Sequence, residues 1–424
     1  CLILWWYEWI CERFGELPGA VWCVGQPEIW QIACYYAGIF LLVFGRRYVE
    51  AWKRRGTYGE ENVPGVIIHS NRFQHQIATV MILGLLIGLL TGNFDRGSRV
   101  TFLDVGQGDG IVVETGQGAY LFDCGSTSRK NIGEYVLKPY LKSRGICSLR
   151  GVFVSHPDED HMNGVLELLE NGEEWGITAE QLFLPAIRES ERRETFEQLL
   201  AAAEDAGIPV SYIKCGDEIR DSQLRLLCLH PEENTTLADA NAYSECFYVE
   251  VFAKKMKQEA IDDRKANDAS GGSAIGKISI LLTGDVEGEG ERQLTQRLQA
   301  LQESRSLQES QSLQESRSLQ ESQSLQTTRR LQEQRGQREF RVDILKVAHH
   351  GSGYSTGTEF LATASPAIAI ISCGRNNSYG HPHAETLQRL EDARVPWYGT
   401  MDYGALTVNV DSHGNRLHGY LSGK

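Results

Sequence analysis

The sequence predicts an α/β domain preceded by two transmembrane helices. Three observations carry that expectation. Long apolar runs are confined to the first 95 residues. After residue 99, short strand-like runs alternate with amphipathic helical runs. Several of those strand-like runs empty into loops dense in His and Asp. The densest is GVFVSHPDEDHMNG at 151–164, where His156, Asp158, Asp160 and His161 follow an apolar strand at once. Imidazole and carboxylate so closely spaced are the donor types that hold Zn, Mn or Fe.

The apolar runs come first. Residues 29–44 (IWQIACYYAGIFLLVF) hold a single Gln, and 77–94 (IATVMILGLLIGLLTGNF) form the second run. Each is at the short end for a spanning helix. Both lack a polar face. The segment between them carries Arg46, Arg47, Lys53, Arg54, Arg55 and Arg72 against Glu50, Glu60 and Glu61. That excess of basic residues predicts a cytoplasmic connection and places everything after residue 94 outside the cell membrane. The opening CLILWWYEWICERF predicts an interfacial helix or the end of an earlier span. The chain begins at Cys1 and not Met, so a piece of a longer protein is expected, and no signal peptide is visible.

The 424 residues allow two or three domains. A net charge of -14 excludes a protein that grips nucleic acid by overall charge, while leaving a local basic groove open. The ten cysteines contain no C-x-x-C pair, which argues against a thiolate zinc site. Their irregular spacing fits buried thiols, or one or two disulfides in an oxidising space.

The α/β domain opens with strands at 100–105 and 111–114 joined by a Gly-rich turn (GQGDG) that contains Asp109 and follows Asp104. A third strand, 119–122, runs into Asp123, where a carboxylate orienting a metal ligand and a plain Asx turn are both open. Residues 132–141 predict a helix before the His/Asp loop, and 165–169 one after it. A charged amphipathic helix follows at 190–206. Strands are expected at 182–185, 210–213, 224–229, 246–252 and 278–283, the last ending in Asp285, a carboxylate placed to be shared by two metals. Two inserts interrupt the pattern. Residues 254–277 read as a long polar hairpin loop. Residues 301–326 repeat S-L-Q-E-S-R/Q with period six, which keeps no apolar face on a helix, so disorder or a transient helix is expected. A strand at 342–348 then delivers His349 and His350, which strand alternation would put on opposite faces. Ser352 follows. The strand at 367–372 leads to GRNNSYGHPH, with His381 and His383. A helix at 385–393 and strands at 397–398 and 405–410 close the domain.

In order, the motifs FLDVGQGDG, LFDCG, SHPDEDHMNG, LLTGD, LKVAHHGS and GRNNSYGHPH resemble the C-terminal metallo-β-lactamase-fold domain of the ComEC family of competence proteins. The resemblance covers about residues 98–420, with 1–95 similar to the end of the membrane competence domain and a low-complexity insert at about 296–337. It implies an αββα sandwich with the site at the loop end. It implies two divalent metal ions, Mn or Zn. His156 and Asp158 resemble ligands of the first metal, with Asp158 where hydrolytic relatives have His. Asp160 and His161 resemble ligands of the second, Asp285 the bridge, and His349 or His350 the late ligand. Asp104, Asp109, Asp123, Asn241, Ser352 and His381 are expected to support the ligands. The stretch 241–244 lacks the His that relatives place there, so the first metal is expected to be short of a donor.

The resemblance implies a multi-pass membrane protein of DNA uptake, partnered by DNA and other competence proteins, whose outer domain degrades the strand that is not transported. Two cations lower the pKa of a shared water and stabilise charge on phosphorus. Asp160 is expected to orient that water, and His383 or the spare His of the 349/350 pair to protonate the leaving oxygen. Lys346 and Arg375 are expected to touch DNA. The alternatives are a hydrolase of an envelope phosphoester and a non-catalytic module that guides DNA.

Overall fold

A computed structural model describes residues 2–15, 23–56, 72–91, 97–187, 194–233, 237, 241–253, 276–320, 342–411 and 414–421. The chain divides into two units, residues 1–95 with 140–146, and residues 96–139 with 147–424.

The first unit holds α1 (Leu2–Gly15), α2 (Ile29–Gly56) and α3 (Arg72–Thr91). α2 and α3 pack together, and Gly38 lets them approach, since a Cβ there would lie 2.6 Å from Leu86. The lone Gln31 of the apolar run is buried between them and donates to the Leu89 carbonyl at 2.6 Å. The outer faces stay open, with Phe40, Leu41, Val80 and Leu85 all exposed. The two spanning helices expected from the sequence are not confirmed. Among the described residues no helix is long and apolar enough to cross a membrane. The reason is reach: 29–44 extends only about 24 Å as a helix against a hydrocarbon core of about 30 Å. Arg46 and Arg47 then follow in α2, and α3 opens with Arg72, Gln74, His75 and Gln76. Helix α1 exposes Trp5, Trp6 and Trp9. Much of the basic connection, 57–71, lies outside the described residues.

In the second unit the strands are β1 (Ser98–Phe102), β2 (Gly110–Thr115), β3 (Gly118–Cys124), β4 (Ser148–Phe153), β5 (Thr178–Ala179), β6 (Leu182–Pro185) and β7 (Val210–Ile213). Then come β8 (Glu218–Arg220), β9 (Leu224–His230), β10 (Cys246–Phe252), β11 (Lys277–Leu282), β12 (Ile344–Lys346), β13 (Ile368–Ile371) and β14 (Trp397–Gly399). The last two are β15 (Leu406–Val410) and β16 (Arg416–Gly419). They form two sheets. One runs β16-β15-β1-β2-β3-β4-β6-β7, with β5 beside β4; the other runs β14-β13-β12-β11-β10-β9-β8. The helices are α4 (Lys138–Arg144), which straddles the division between the units, α5 (Glu159–Trp175), α6 (Glu194–Asp205), α7 (Gly288–Gln320), α8 (Thr358–Ala364), α9 (Ala384–Asp392) and α10 (Thr400–Tyr403).

Period-two alternation explains the sandwich. Val100, Phe102, Ile111, Val113, Phe122 and Phe153 of the first sheet face Leu224, Leu226, Phe247, Val249, Ile280 and Ile344 of the second in one buried core. The rings of Phe122, Phe153 and Phe183 stack at 4.5–4.6 Å, with Phe247 edge-on to the first two. Burying each such side chain is worth about 1.5–3 kcal/mol. The opposite face of the second sheet offers Leu227, Tyr248, Leu281 and Leu345 to α7, α8 and α9 through Leu294, Leu298, Phe360 and Leu390. Helix α5 covers the first sheet with Val165, Leu168 and Leu169 buried. The result is an αββα order of layers.

Some elements differ from the sequence reading. β1 stops at Phe102, and 103–109 is a folded loop, not a tight turn, with Gly106 at φ +85° and Gly108 at φ +150°. A Cβ on Gly108 would strike the Gly125 and Asp160 carbonyls, so this loop lies directly on the His/Asp loop. The 132–141 helix begins as a π-turn (Gly133–Leu137). The period-six repeat continues α7 as far as Gln320, while the remainder of the insert and the 254–275 loop lie outside the described residues. Cys124, Cys228, Cys246 and Cys373 are buried free thiols.

Topology gathers the chemistry. β3 and β4 run parallel, as do β11, β12 and β13. Their carboxyl ends therefore deliver Asp123, His156, Asp285, His349 with His350, and Ser372 to one end of the sandwich, where α/β sheets place their ligands.

Candidate metal centre

Asp285 is the hub. It follows β11 through Gly284, whose φ of +49° turns the chain beneath Ser155 and Ser244. The Asp285 N–H donates to Ser244 Oγ at 3.2 Å, which fixes the residue, and its side chain is 3% exposed. Four imidazole Nε2 atoms surround the carboxylate. His161 lies 3.2 Å from Oδ1; His350, His349 and His156 lie 3.5, 3.7 and 4.0 Å from Oδ2.

Each imidazole is tied back by its other nitrogen. His161 Nδ1–H donates to Asp123 Oδ2 at 2.9 Å. His350 Nδ1–H donates to the Ser372 carbonyl at 2.8 Å. His349 Nδ1–H donates to Glu287 Oε2 at 2.8 Å. His156 Nδ1 meets Ser155 Oγ at 3.1 Å, and that hydroxyl in turn donates to Asp123 Oδ2 at 2.8 Å. Carboxylate and carbonyl acceptors require the proton on Nδ1, so the lone pairs of Nε2 face inward. This is the arrangement of metal-binding histidines and their outer partners.

Two more carboxylates complete the ring. Asp160 Oδ2 lies 3.4 Å from His350 Nε2, and Asp158 Oδ2 lies 3.8 Å from His156 Nε2. Both come from the start of α5, with Asp158 at its N-cap position making no side-chain cap bond. Helical spacing puts Asp158, Asp160 and His161 in a single turn beside His156.

His349 and His350 both reach the hub, contrary to the expectation of opposite faces. They lie past the end of β12 in a short turn with φ of +48° and +53°, so strand alternation does not apply. Two clamps hold that strained loop. The Glu291 carboxylate accepts the N–H groups of Thr356 and Gly357, and Arg389 donates to the carbonyls of Gly353, Ser355 and Thr356 at 2.7–3.1 Å.

The buried atoms His156 Nε2, His161 Nε2, His350 Nε2 and Asp285 Oδ1 have no hydrogen-bond partner. Leaving such groups unpaired costs about 1–3 kcal/mol each, more when charged. Ligand atoms of Asp109, His161, Asp285 and His350 also lie within 4.8 Å of one another. The donor set fits divalent cations. Electrostatics agree with a site short of positive charge. Burial opposes charge on His161, but Asp285 and Asp123 outweigh it and hold the imidazole well above its ordinary range. Burial, aided by His161, pulls His156 down to about 4. Burial works against ionising Asp160, yet His350 and His161 prevail and set it at about 2.

Beneath this ring Lys346 and Asp109, each 1% exposed, form a buried ion pair. The expectation that Lys346 touches DNA is therefore wrong: the side chain points into the domain from β12. Beside it lies Glu245, fully buried, neither carboxyl oxygen hydrogen-bonded, its acid raised by burial and the charge of Asp123. Sequence reasoning missed Glu245, Glu287, Ser155 and Ser372 as members of this region. For Glu287 and Ser155 the signal was adjacency, at LLTGDVEG and SHPDEDH.

The remaining expected residues lie around the ring. His381 Nδ1 sits 3.3 Å from Gln107 Nε2, and its ring lies 5.6 and 6.3 Å from those of His349 and His350. Burial and the neighbouring histidines lower it to about 4. Both nitrogens of His383 are engaged, Nδ1 accepting from the Gly353 N–H at 2.8 Å and Nε2 donating to the Tyr379 carbonyl at 3.1 Å. The structure thus ties His383 into two loops. Asp104 pairs with Arg129 at 3.2 Å away from the ring. Asn241 opens the turn that presents Ser244, and Ser352 donates its N–H to the His349 carbonyl at 2.8 Å. Arg375 is exposed, with its guanidinium on the Met401 carbonyl.

Comparison with known proteins agrees with this geometry. Residues 103–209 match the metallo-beta-lactamase superfamily. ComE operon protein 3 of Bacillus subtilis (strain 168) is 28% identical over 344 residues, covering 77% of this chain and 35% of that protein. Recombination protein 2 of Haemophilus influenzae is 26% identical over 387 residues, covering 88% and 38%. Competence protein ComA of Neisseria gonorrhoeae is 23% identical over 327 residues, covering 76% and 33%. The chain spans a little over a third of the length of the first two. It is a relative of the ComEC-type competence proteins and carries a metallo-β-lactamase superfamily domain.

Proposed function

We propose that residues 98–420 are a metal-dependent phosphodiesterase acting on DNA within a membrane-associated DNA-uptake protein. One observation carries the catalytic part: four imidazoles, each anchored through Nδ1, turn Nε2 toward one buried carboxylate. In this reading His156, Asp158 and His349 would hold one divalent cation, and Asp160, His161 and His350 a second, with Asp285 available to both. His349 supplies the donor that 241–244 lacks. The carboxylates, three in all, make the set hard enough for Mn as well as Zn. When bound, such ions acidify water and neutralise charge on a phosphoryl group.

The chain's own residues do the rest. Asp123, Glu287 and the Ser372 carbonyl keep three of the imidazoles in register. Asp160 stays ionised across the neutral range. His381 takes the Gln107 N–H on Nδ1 and so keeps its own proton on Nε2, an uncharged donor for a phosphate oxygen. The exposed apolar faces of α2 and α3 fit contact with lipid. The basic residues that follow the first apolar run would then keep the metal centre on the outer side. Protease protection in vesicles tests that placement.

The test is chemical. Full-length chain is stripped with chelator and reloaded with Mn or Zn. Bis(p-nitrophenyl) phosphate, a phosphomonoester, single-stranded DNA and duplex DNA are then assayed, with metal content measured in parallel. Cleavage of diesters that returns with metal is expected. A chain that retains no metal, or that cleaves only the monoester, ends the reading.

A further inference from the structure

We propose that Tyr354 and Tyr379 form a stacking platform for unpaired bases of single-stranded DNA at the mouth of the metal centre. This inference deepens the phosphodiesterase reading and rests on it for the substrate. Tyr379 is 51% exposed and Tyr354 86% exposed, so both rings offer a face to solvent. Tyr379 is not remote from the centre. Its ring stacks on His381 at 5.7 Å and 22°, and His381 in turn lies 5.6 Å from the ring of His349. A base laid on the outer face of Tyr379 is thus two ring contacts from the ring of imidazoles.

The tyrosines sit on two different loops, and His383 joins them. Its Nδ1 accepts the N–H of Gly353, the residue before Tyr354, and its Nε2 donates to the carbonyl of Tyr379. Asn377 stiffens the second loop by accepting the N–H groups of Tyr379 and His381 at 3.1 and 3.0 Å and donating to the His381 carbonyl at 2.6 Å. Both rings are therefore carried by a braced rim.

Charge says why a rim of rings matters. The chain carries a net charge of -14, and Lys346 is buried, so the phosphate backbone finds little attraction here. Base–aromatic stacking supplies affinity that does not depend on charge. In a duplex each base face is covered by its neighbours, so exposed rings select unpaired bases.

The experiment uses full-length chain and four forms: wild type, Tyr379→Ala, Tyr379→Phe and Tyr354→Ala. Binding of a fluorescently labelled 12-nucleotide single strand is read by anisotropy, beside a strand of the same length built from abasic sites. Hydrolysis of bis(p-nitrophenyl) phosphate is measured on the same preparations. Each alanine variant should weaken binding of the normal strand about fivefold or more. Phe should restore it, the abasic strand should bind wild type no better than the variants bind normal strand, and small-diester hydrolysis by Tyr354→Ala should not change. Equal binding of normal and abasic strands by wild type, or unchanged binding by both alanine variants, overturns the platform. Loss of small-diester hydrolysis in wild type would instead sink the phosphodiesterase reading, while the anisotropy would still decide the platform.

Discussion

At the scale of single residues, the centre separates imidazoles that turn Nε2 toward Asp285 from the groups that aim them. Asp123 belongs to the second kind: its two oxygens take the Ser155 N–H at 2.7 Å, the Ser155 hydroxyl and His161 Nδ1–H. Asp123→Ala should leave a folded chain whose metal affinity falls about 10- to 100-fold, read by titration against a competing chelator. Undiminished affinity would make Asp123 a mere turn residue. Lys346 makes a different prediction. Removing one partner of a buried ion pair strands the other, at a cost of about 3–5 kcal/mol. Lys346→Met should lose that much in urea unfolding, and the double variant Lys346→Met with Asp109→Asn should recover a large part of it. If the double variant is no better than the single, Asp109 has a second role, as a metal ligand among His161, Asp285 and His350. Residue types were legible in the sequence: every His and Asp gathered at the hub could be named from motif spacing. The aiming partners were not, because a carbonyl such as that of Ser372 or an acid such as Glu287 carries no signature until the fold turns it toward an imidazole.

At the scale of elements, strand ends explain both the success and the failure of reading the sequence. Apolar runs that stop at Asp123, His156 and Asp285 were recognisable as strands because side chains buried on both faces leave long Val/Ile/Leu stretches. His349 and His350 escape alternation because β12 ends at Lys346, two residues short of Ala348, and a left-handed turn follows. Short edge strands β8 and β16 escaped notice, having no apolar run to mark them. The repeat was misjudged in part as well. Leu294, Leu298 and Leu301 keep helical spacing and pack on the second sheet, and α7 carries that helix into the period-six stretch. One element also has a titration of its own. His230 ends β9, donates Nε2–H to the Ala242 carbonyl at 2.7 Å, and burial lowers it to about 4. The unfolded chain binds a proton near pH 6.5 that the folded chain refuses until about pH 4. Stability from this group is therefore complete above pH 6.5 and is lost as pH falls toward 4, by roughly 3 kcal/mol in all. His230→Gln keeps a donor for Ala242, so its stability should fall less steeply between pH 6.5 and 4 in urea melts. Parallel pH profiles for variant and wild type would refute the assignment.

At the scale of the whole molecule, charge and shape decide how a nucleic acid can be held. A sandwich whose loop end presents Asp158, Asp160 and Asp285 repels a polyanion unless cations lie between them. Near the rim, exposed Arg375 lies on the His381 loop and exposed Arg129 packs against Gly106, and Arg129 is already paired with Asp104. Two phosphate contacts on a single strand give a slope of about -1.4 in log K against log salt, at about -0.7 for each. We therefore expect single-strand affinity, measured between 50 and 200 mM salt with metal held constant, to fall by less than about tenfold. A basic groove of six to ten contacts would cost roughly 300-fold to 10⁴-fold over the same range. The shallow slope follows from burying Lys346 and from a net charge of -14. A steep one would show that phosphates are gripped by a surface the acidic rim does not reveal, and that stacking and cations together are not what holds the strand.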